Sequence, residues 1–428
     1  MYRKTMNMGY QRSLGGLALM LMLMLVNPGN IRAQDDGPKL TLSEAVSMAL
    51  DKNPQIRKLE ARLQGKSAEW KTGIGLSNPE ISFAREGLSA ISPEPYTEQR
   101  LAVQQEFDFP LTSFYRLKKV FHEKDAVARE LEALRKEVSV GVKTRYTEIL
   151  FCESIRELRA ETYRLSKELD DAVKMRVESG VGFYMDQLSS EIRLVHAENQ
   201  QYEANRSFHE ARYRLFSFIG MNPDEQRYDI QFADTLFTHD ELIEQEIALY
   251  TLEDQPLYKS AKALLAASDF AIKEAKSGFL PSVRLGYLAQ DFGTGYHFRG
   301  FETGLTIPVW GMFNEKGRVE QAKSIYNERL WDQKSIELNI KEKIELAWHS
   351  YDNSQITIQL YQTQLKNKSE KLLALTQEAY RLGQIDLLKM IEAQQLYLSS
   401  QEKYLSALRD YYLRLIELEQ YVNKELVY

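Results

Sequence analysis

The apolar positions of this chain change their period along its length. Residues 42–72 carry apolar side chains every three to four positions, as in an amphipathic helix, with a break at Asn53-Pro54. From about residue 78 to residue 110 the apolar residues alternate, which predicts two strands joined by a hairpin loop. The spacing of three and four then returns over residues 111–221, which contain no proline. This run predicts a helix of about 65 residues, roughly 100 Å long, followed by a shorter return helix.

The same order of elements occurs twice. Residues 42–85 and 244–287 align without a gap at a constant shift of 202 positions, and a second strand pair is predicted at about 280–310. A repeat of this length indicates a duplicated architecture rather than a short-period solenoid. We therefore divide the chain into a signal segment 1–33, a first repeat 34–220, a linker 221–243 and a second repeat 244–428. For the linker, a small side structure and a disordered connection both remain open.

Each long helix carries an apolar seam that predicts coiled-coil-like packing. Its members in the first repeat are Val127, Leu131, Leu134, Val138, Val142, Tyr146, Ile149, Ile155, Leu158, Thr162, Leu165, Leu169, Val173 and Val177. Its members in the second repeat are Ile358, Tyr361, Leu365, Leu372, Leu375, Ala379 and Leu382. A glycine ends each long helix, Gly180 in the first repeat and Gly383 in the second, so each repeat is predicted to form a helical hairpin.

The N-terminus is predicted to be removed before folding. Three basic residues precede the short apolar run Leu14–Val26, as in a secretory signal, although an uncleaved membrane anchor is the alternative. Without residues 1–33 the chain has 51 Lys and Arg against 61 Asp and Glu, so a nucleic acid is not expected as a partner. No cysteine stands directly after the signal, and the single cysteine, Cys152, lies in a helical pattern. We therefore expect no N-terminal lipid anchor.

One face of each predicted strand is apolar and the other is small, polar or charged. This alternation fits either the edge of a sandwich with one wet face or a transmembrane strand with lipid on one side. No run of 18 or more apolar residues follows the signal, which argues against membrane-spanning helices. Four strands cannot close a barrel, since the smallest membrane barrels have about eight. An α+β fold is expected in which several copies share one barrel, two copies giving eight strands and three giving twelve.

Four segments resemble the outer-membrane efflux protein (TolC) family. They are Leu42-Ser-Glu-Ala-Val-Ser-Met-Ala-Leu-Asp-Lys-Asn-Pro54, Ser77-Asn-Pro-Glu-Ile81, Gln104-Gln-Glu-Phe-Asp-Phe-Pro110 and Tyr380-Arg-Leu-Gly383. The second and third resemble the heavy-metal Czc-type branch in particular. The resemblance implies a homotrimer whose twelve-stranded β-barrel, in the outer membrane of a Gram-negative bacterium, continues into a long periplasmic α-helical barrel. It also implies a periplasmic adaptor (membrane fusion) protein and an inner-membrane RND-type pump as partners.

The expected function is therefore a passive exit duct of a tripartite efflux pump, with heavy-metal cations as substrates. A duct for drug efflux or for type I protein secretion is the alternative within transport. A soluble periplasmic coiled-coil scaffold is the alternative outside it, but a scaffold has no use for paired alternating strands.

The resemblance places the functional sites at the periplasmic tips of the hairpins. Adaptor docking is expected at the turn residues, which are Gly180, Val181, Gly182, Phe183, Gly383, Gln384, Ile385 and Asp386. The gate candidates are Asp186, Lys389 and Glu392, where the family often has acidic residues. Lys389 departs from that pattern and is the repeat counterpart of Asp186. The two could pair and hold the tips closed, or all three could be solvated surface charges.

The sequence nominates no catalytic, cofactor-binding or metal-binding residue. None of the six histidines stands four positions from another, and no phosphate-binding glycine loop is present. No enzyme and no cofactor are expected. Four aromatic residues near the hairpin loops are predicted to form an interfacial girdle in a membrane, namely Tyr96, Tyr287, Tyr296 and Phe298.

Overall fold

The structure is a computed structural model, and it describes residues 39–88, 96–221, 229–230, 252–293, 295–422 and 425–427. The predicted signal segment 1–33 and most of the predicted linker 221–243 lie outside the described residues. In the linker, Asp229–Ile230 forms a short strand that pairs in parallel with Lys39–Leu40. This pair is the part of the predicted side structure that the described residues contain.

The first repeat consists of short opening helices, a strand pair, one long helix and a return helix. Its elements are β1 (Lys39–Leu40), α1 (Leu42–Lys52), α2 (Pro54–Gly73), β2 (Glu80–Glu86), β3 (Glu98–Phe107), α3 (Pro110–Glu178) and α4 (Tyr184–Phe218), followed by β4 (Asp229–Ile230). The second repeat contains a 3₁₀ turn (Leu252–Asp254), α5 (Pro256–Ser277), β5 (Ser282–Phe292), β6 (Tyr296–Thr306), α6 (Asn314–Leu360), a π-helical turn (Tyr361–Lys366), α7 (Asn367–Arg381) and α8 (Leu387–Glu419). The predicted order of elements is therefore present in both repeats.

Local sequence explains where the opening helices begin. Thr41 accepts a hydrogen bond from the backbone N–H of Glu44, and the Glu44 carboxylate accepts one from the backbone N–H of Thr41. The hydrogen bonds to the Glu44 carboxylate, from the backbone and the side chain of Thr41, lower its pKa. Asn53 caps the next helix through its side chain, and Pro54 occupies the first helical position.

The four strands form one antiparallel sheet in the order β2-β3-β5-β6. The register places Ile81, Val103, Tyr287 and Phe301 in one row across the sheet. The adjacent row, on the opposite face, contains Glu80, Gln104, Gly286 and Glu302. One face is thus apolar and exposed, and the other is mostly polar. β2 and β6 each pair on one side only, so each leaves a free backbone edge.

The register corrects the predicted aromatic girdle. Tyr287 lies on the apolar face, but Tyr296 and Phe298 lie on the opposite face because their positions in β6 differ by an odd number from that of Phe301. The prediction was wrong for these two residues, since the sequence did not reveal which face each of them occupies.

The long helix α3 confirms its predicted seam. Its 69 residues are continuous, and eleven of the fourteen predicted seam residues are buried while the other three are half-buried. Two shorter segments pack along it. The end of α4 meets α1 and the start of α2 near the middle of α3, where Leu215, Ile219, Ala49 and Ile56 share an apolar cluster. The short helices of the first repeat therefore meet end to end along α3.

In the second repeat, the predicted seam was wrong beyond residue 361. Leu372, Leu375 and Leu382 are exposed in the chain, whereas Leu373 and Tyr380 are buried. The π-helical turn Tyr361–Lys366 precedes the error. A π turn contains an additional residue, which rotates the following helix relative to the preceding one. The buried seam therefore moves by one position.

A buried lysine connects the two repeats at mid-height. The Lys143 side chain on α3 is only 2% exposed, and its Nζ lies 2.9 Å from the Glu425 Oε1 and 2.6 Å from the Val427 carbonyl oxygen. It also contacts the Glu419 Oε1 at 2.5 Å, at the end of α8. The other oxygen of Glu419 accepts hydrogen bonds from the backbone N–H groups of Leu426 and Val427. This arrangement fixes the C-terminal segment against the first repeat.

None of the described helices has a stretch both long enough and apolar enough to cross a membrane.

Candidate functional site: the hairpin tips

Both hairpin tips use the same turn. At the first tip the backbone N–H of Gly180 donates to the Val177 carbonyl at 3.0 Å, and that of Val181 donates to the Arg176 carbonyl at 3.0 Å. At the second tip Gly383 donates to Tyr380 at 3.0 Å and Gln384 to Ala379 at 2.9 Å. This is the Schellman arrangement, which requires a left-handed residue. The φ angles of +73° at Gly180 and +70° at Gly383 explain the two glycines.

The turns differ immediately after the glycine. A Cβ on Gly182 would lie 2.9 Å from the backbone nitrogen of Val177, so the first turn folds back too closely for any side chain there. Its counterpart Ile385 is partly buried against an apolar cluster at the tip. Asp386 caps α8 by accepting a hydrogen bond from the backbone N–H of Lys389 at 2.9 Å, whereas Phe183, the N-cap of α4, makes no side-chain cap bond.

The docking candidates form an exposed, partly apolar surface. Val181 and Phe183 are exposed, Phe183 to 76%, and the next two residues, Tyr184 and Met185, are exposed as well. At the second tip Gly383, Gln384 and Asp386 are also exposed. A surface of large apolar side chains at the end of a long hairpin is suited to contact with another protein.

The three gate candidates form no ion pair with one another among the described residues. Lys389 and Glu392 are exposed and Asp186 is half-buried. The part of the chain that the structure describes shows no ion pair between Asp186 and Lys389. Instead, the charge of Asp186 acts on Tyr380 of the other hairpin: burial raises the pKa of the Tyr380 phenol, and Asp186 raises it further.

The structure adds Arg176 and Tyr380 to this site. The Arg176 guanidinium lies 5.1 Å from the centroid of the Tyr380 ring, which joins α3 to α7 at the tip. Arg176 opposes the rise in the Tyr380 pKa through its charge and its hydrogen bond. The sequence contained a signal for Tyr380, which lies in the segment Tyr380-Arg-Leu-Gly383. It contained none for Arg176, whose counterpart in the second repeat is Ala379.

A buried carboxylate holds the first tip together. Asp170 on α3 is 1% exposed at its side chain and accepts a hydrogen bond from the Ser190 hydroxyl of α4 at 2.6 Å. Lys174 Nζ lies 2.8 Å from Asp170 and 3.5 Å from Glu191 of α4. The hydrogen bond to Asp170 raises the pKa of Lys174. The network links the two arms of the first hairpin about two turns above its tip.

The equivalent positions of the second tip carry no charge. Leu373, Gln377, Ala393 and Gln394 stand where the first repeat has Asp170, Lys174, Ser190 and Glu191. Leu373 is buried in an apolar cluster with Tyr380, Leu387, Met390 and Ile391, and the cluster also contains Leu165, Leu169 and Val173 of α3. The second tip is therefore held by apolar packing where the first uses hydrogen bonds.

Two grooves flank the tips. One, of about 620 Å³, lies between α3 and α7 and is lined largely by apolar and long side chains, among them Leu165, Met175, Val181, Tyr380 and Leu382. The other, of about 530 Å³, lies between α4 and α8 over α3 and is mainly polar, with Arg159, Ser166, Arg193, Gln394 and Glu402. Arg159 pairs with Glu402 at 2.9 Å across this groove.

The described residues give little support to a metal site or to nucleophilic catalysis. They contain no group of three or more His, Cys, Asp or Glu side chains placed to hold a metal ion. His122 stacks on Phe270 with ring centroids 5.3 Å apart, and His297 Nδ1 lies 3.3 Å from Asp291. Burial raises the pKa of the Cys152 thiol, which makes it a poor nucleophile.

One family model matches the second repeat of the chain. Residues 250–424 match the model of the outer membrane efflux protein family. This match covers most of the second repeat and less than half of the chain. No curated protein matches the chain in sequence. The matched family and the channel structures described next are non-enzymatic channels, in line with the prediction that the chain is not an enzyme.

Three solved structures share the fold over most of the chain. The Neisseria gonorrhoeae MtrE outer membrane channel, in its open state, has a TM-score of 0.74 at 18% identity, covering 92% of this chain and 93% of its own. The Vibrio cholerae outer membrane protein VceC has a TM-score of 0.73 at 16% identity, covering 88% and 95%. CusC, described as forming a transmembrane channel, has a TM-score of 0.74 at 15% identity, covering 88% and 91%. The chain thus has the fold of outer-membrane channels.

Proposed function

We propose that this protein is the outer-membrane exit duct of a tripartite efflux pump. Three copies would close a twelve-stranded barrel in the outer membrane and a helical barrel in the periplasm. Substrates would pass through passively, since energy would come from an inner-membrane pump reached through a periplasmic adaptor. The family match of residues 250–424 and the fold shared with outer-membrane channels support this proposal.

The observation that carries the proposal is the four-stranded sheet. Its two outer strands end in free backbone edges, which are unstable in isolation and call for pairing with further copies. One face exposes large apolar side chains, with Phe301 86% and Ile81 69% exposed, and the other face is mostly polar. A soluble scaffold would gain nothing from that apolar face, whereas a barrel in lipid requires it.

The hairpins fit the other half of the duct. α3 alone has 69 residues, which is roughly 100 Å of helix. Because α3 extends from the sheet to the tip, the tips would lie far from the membrane. An adaptor in the periplasm could reach the exposed docking residues there. In a closed ring each copy would contribute one Asp186, one Lys389 and one Glu392, so their charges would form rings around the lumen.

Fractionation tests the duct against the scaffold. We expect the protein in the outer-membrane fraction, as oligomers that change mobility on heating in detergent. Recovery of a monomer from the soluble periplasm would contradict the proposal.

Heavy-metal cations are the substrate class we propose, on the resemblance of Ser77–Ile81 and Gln104–Pro110 to the Czc-type branch. Deletion of the gene should then increase sensitivity to zinc, cobalt or copper more than sensitivity to drugs. The reverse result would favour drug efflux, and loss of an exported protein without either sensitivity would favour type I secretion.

Gating at the tips can be measured in planar lipid bilayers. If Asp186 helps to hold the tip closed, the Asp186→Asn variant should open more often or conduct more than the unmodified channel. Glu178→Gln, which removes an exposed charge near the same tip at the end of α3, tests whether the loss of any negative charge has this effect. Unchanged conductance of the Asp186→Asn variant would show that Asp186 is a solvated surface charge.

A further inference from the structure

The apolar face of the sheet ends in a row of polar and charged residues next to the hairpin loops. Counted from the helices towards the hairpin loops, four rows on this face contain Leu305, Thr303, Phe301 and then Arg299 on β6. The fifth row contains Arg85, Gln99, Asp291 and His297. Two arginines therefore stand on the same face as the exposed apolar side chains, at its end farthest from the helices.

Neither arginine has a carboxylate partner within the described residues. The Arg85 guanidinium donates to the Gln99 Oε1 at 3.2 and 2.7 Å and lies 4.6 Å from the centroid of the Tyr96 ring. These neutral partners orient Arg85 without cancelling its charge. Asp291, the nearest acid in the fifth row, is already engaged by the Tyr96 hydroxyl at 3.1 Å and by His297 at 3.3 Å. Arg299 is exposed and lies opposite Ala289.

The position of these cations matters because of what surrounds the sheet in the proposed duct. An arginine on the lipid-facing side of a barrel is strongly destabilising at the middle of the bilayer but costs little near its surfaces. From Ile307, the residue after β6, to Arg299 the chain advances eight residues, roughly 27 Å in extended conformation. With the usual tilt this is roughly 20 Å in height, close to the apolar thickness of an outer-membrane barrel. Arg299 and Arg85 would therefore reach the headgroup level of the outer leaflet.

We propose that Arg85 and Arg299 bind the phosphate groups of the phosphorylated saccharide lipid of the outer leaflet. This inference rests on the membrane placement of the sheet proposed above. Guanidinium groups bind phosphate strongly because their N–H donors match its oxygens in pairs. Arg85 lies on the edge strand β2 and Arg299 on the other edge strand, β6, so barrel closure would bring these edges of neighbouring copies together. The lipid phosphate would then also stabilise the contact between copies.

The chain offers a matched control on the opposite face of the same sheet. Arg100 and Arg284 lie on strands β3 and β5 and face the polar side, which would line the lumen. They are exposed, like Arg85 and Arg299, but would not meet lipid. The Arg85→Gln/Arg299→Gln and Arg100→Gln/Arg284→Gln double variants therefore remove equal charge from opposite faces.

The test measures the melting temperature of the purified oligomer in detergent after adding lipid A, with both phosphates, or lipid A from which the phosphates were removed. We expect the phosphorylated lipid to raise the melting temperature of the unmodified protein and of the Arg100→Gln/Arg284→Gln variant by several degrees more than the dephosphorylated lipid does. The Arg85→Gln/Arg299→Gln variant should lose this difference, and Arg85→Lys/Arg299→Lys should keep part of it. Inorganic phosphate at the same concentration should have no effect.

Two outcomes would overturn the inference while leaving the duct intact. They are an equal effect of both lipids on the unmodified protein, and an equal loss in the two double glutamine variants. A protein that never enters the outer membrane would instead contradict the proposed function. If the Arg85→Gln/Arg299→Gln variant does not assemble, native mass spectrometry of lipids carried by the unmodified and the lysine variants provides the same comparison: absence of phosphorylated lipid from both would refute the proposal.

Discussion

The two hairpins share one architecture but hold their tips together in different ways. In the first, α3 is unbroken and its buried Asp170 accepts a hydrogen bond from Ser190 of α4. In the second, a π-helical turn interrupts the long arm and Leu373 takes the place of Asp170. The two turns share the same closing hydrogen bonds and a left-handed glycine, and they differ only after that glycine. Duplication has therefore preserved the backbone geometry that ends each hairpin, while the interactions that stabilise each tip have diverged.

This difference predicts that the two tips respond separately to mutation and to pH. A buried hydrogen-bonded carboxylate loses its contribution when either partner is removed, whereas an apolar cluster loses stability in proportion to the volume removed. Hydrogen exchange resolves the two tips within one molecule, because each set of amides reports the local opening of its own segment.

The largest effect is expected at the contact between the repeats. Lys143→Ala leaves Glu419, whose side chain is only 12% exposed, without its buried cation. Breaking a buried pair in this way costs about 3–5 kcal/mol. We expect the amides of residues 407–422 to lose protection, because the C-terminal segment would detach from α3. Glu425→Gln is the control, since the Glu425 side chain is 64% exposed and its pair contributes under about 1 kcal/mol. Equal losses in the two variants would show that Lys143 has no special role.

The next effect separates the tips directly. Asp170→Ala should cost the first tip about 1–3 kcal/mol, because it removes a buried hydrogen bond between α3 and α4. The amides around residues 176–190 should exchange faster, and those around 379–393 should not change. The double variant Asp170→Leu/Ser190→Ala, which copies Leu373 and Ala393, should cost less because no buried polar partner remains. A loss of protection at both tips would mean that they open as one unit.

A smaller effect is expected from the cap that only the second tip has. Asp386→Ala removes the hydrogen bond to the backbone N–H of Lys389 and should destabilise the first turn of α8 by about 1 kcal/mol. Phe183→Ala at the equivalent position removes no cap bond. Exchange of the Lys389 amide should therefore increase in the first variant alone. An equal increase at the start of α4 in the Phe183→Ala variant would contradict the distinction.

The smallest effect concerns alkaline pH. Burial, assisted by the charge of Glu161, raises the pKa of Tyr397 to about 12, and its hydroxyl lies 3.2 Å from the Glu161 carboxylate. A raised pKa favours the neutral phenol in the folded state. The stabilisation of the folded state by this pKa shift is complete below about pH 10, the ordinary pKa of tyrosine, and is lost as the pH rises towards 12. As the pH rises between these two values, the free energy of unfolding measured in urea should fall less for the Tyr397→Phe variant than for the unmodified protein. Tyr184→Phe, at an exposed site, should match the unmodified protein.

Much of the fold could be predicted because its signals are local. The break at Asn53-Pro54, the change of period near residue 78 and the glycines at 180 and 383 each depend on a few neighbouring residues. The buried seam of α3 could be predicted because nothing interrupts that helix. The seam beyond Tyr361 could not be predicted, since a π turn is set by packing and has no residue signature comparable to proline or glycine.

The candidate site was less accessible to sequence analysis. The docking residues follow from the turns, but Arg176 and Asp170 act through partners on other helices. Lys389 was singled out as the counterpart of Asp186, whereas the structure places Asp186 near Tyr380 of the other hairpin. Alternation alone also left the faces of Tyr296 and Phe298 undetermined, because their roles depend on the register of β6 with β5.

The placement of the sheet in lipid, with its polar face towards a water-filled lumen, is the central claim. Phe301 and Glu302 are neighbours in β6 and point to opposite faces. With Cys152 replaced by alanine, the Phe301→Cys and Glu302→Cys variants can be labelled in isolated outer membranes with a small water-soluble maleimide. The account predicts rapid labelling of the Glu302→Cys variant and little labelling of the Phe301→Cys variant until the membrane is dissolved in detergent. Equal labelling of the two variants in intact membranes would contradict it.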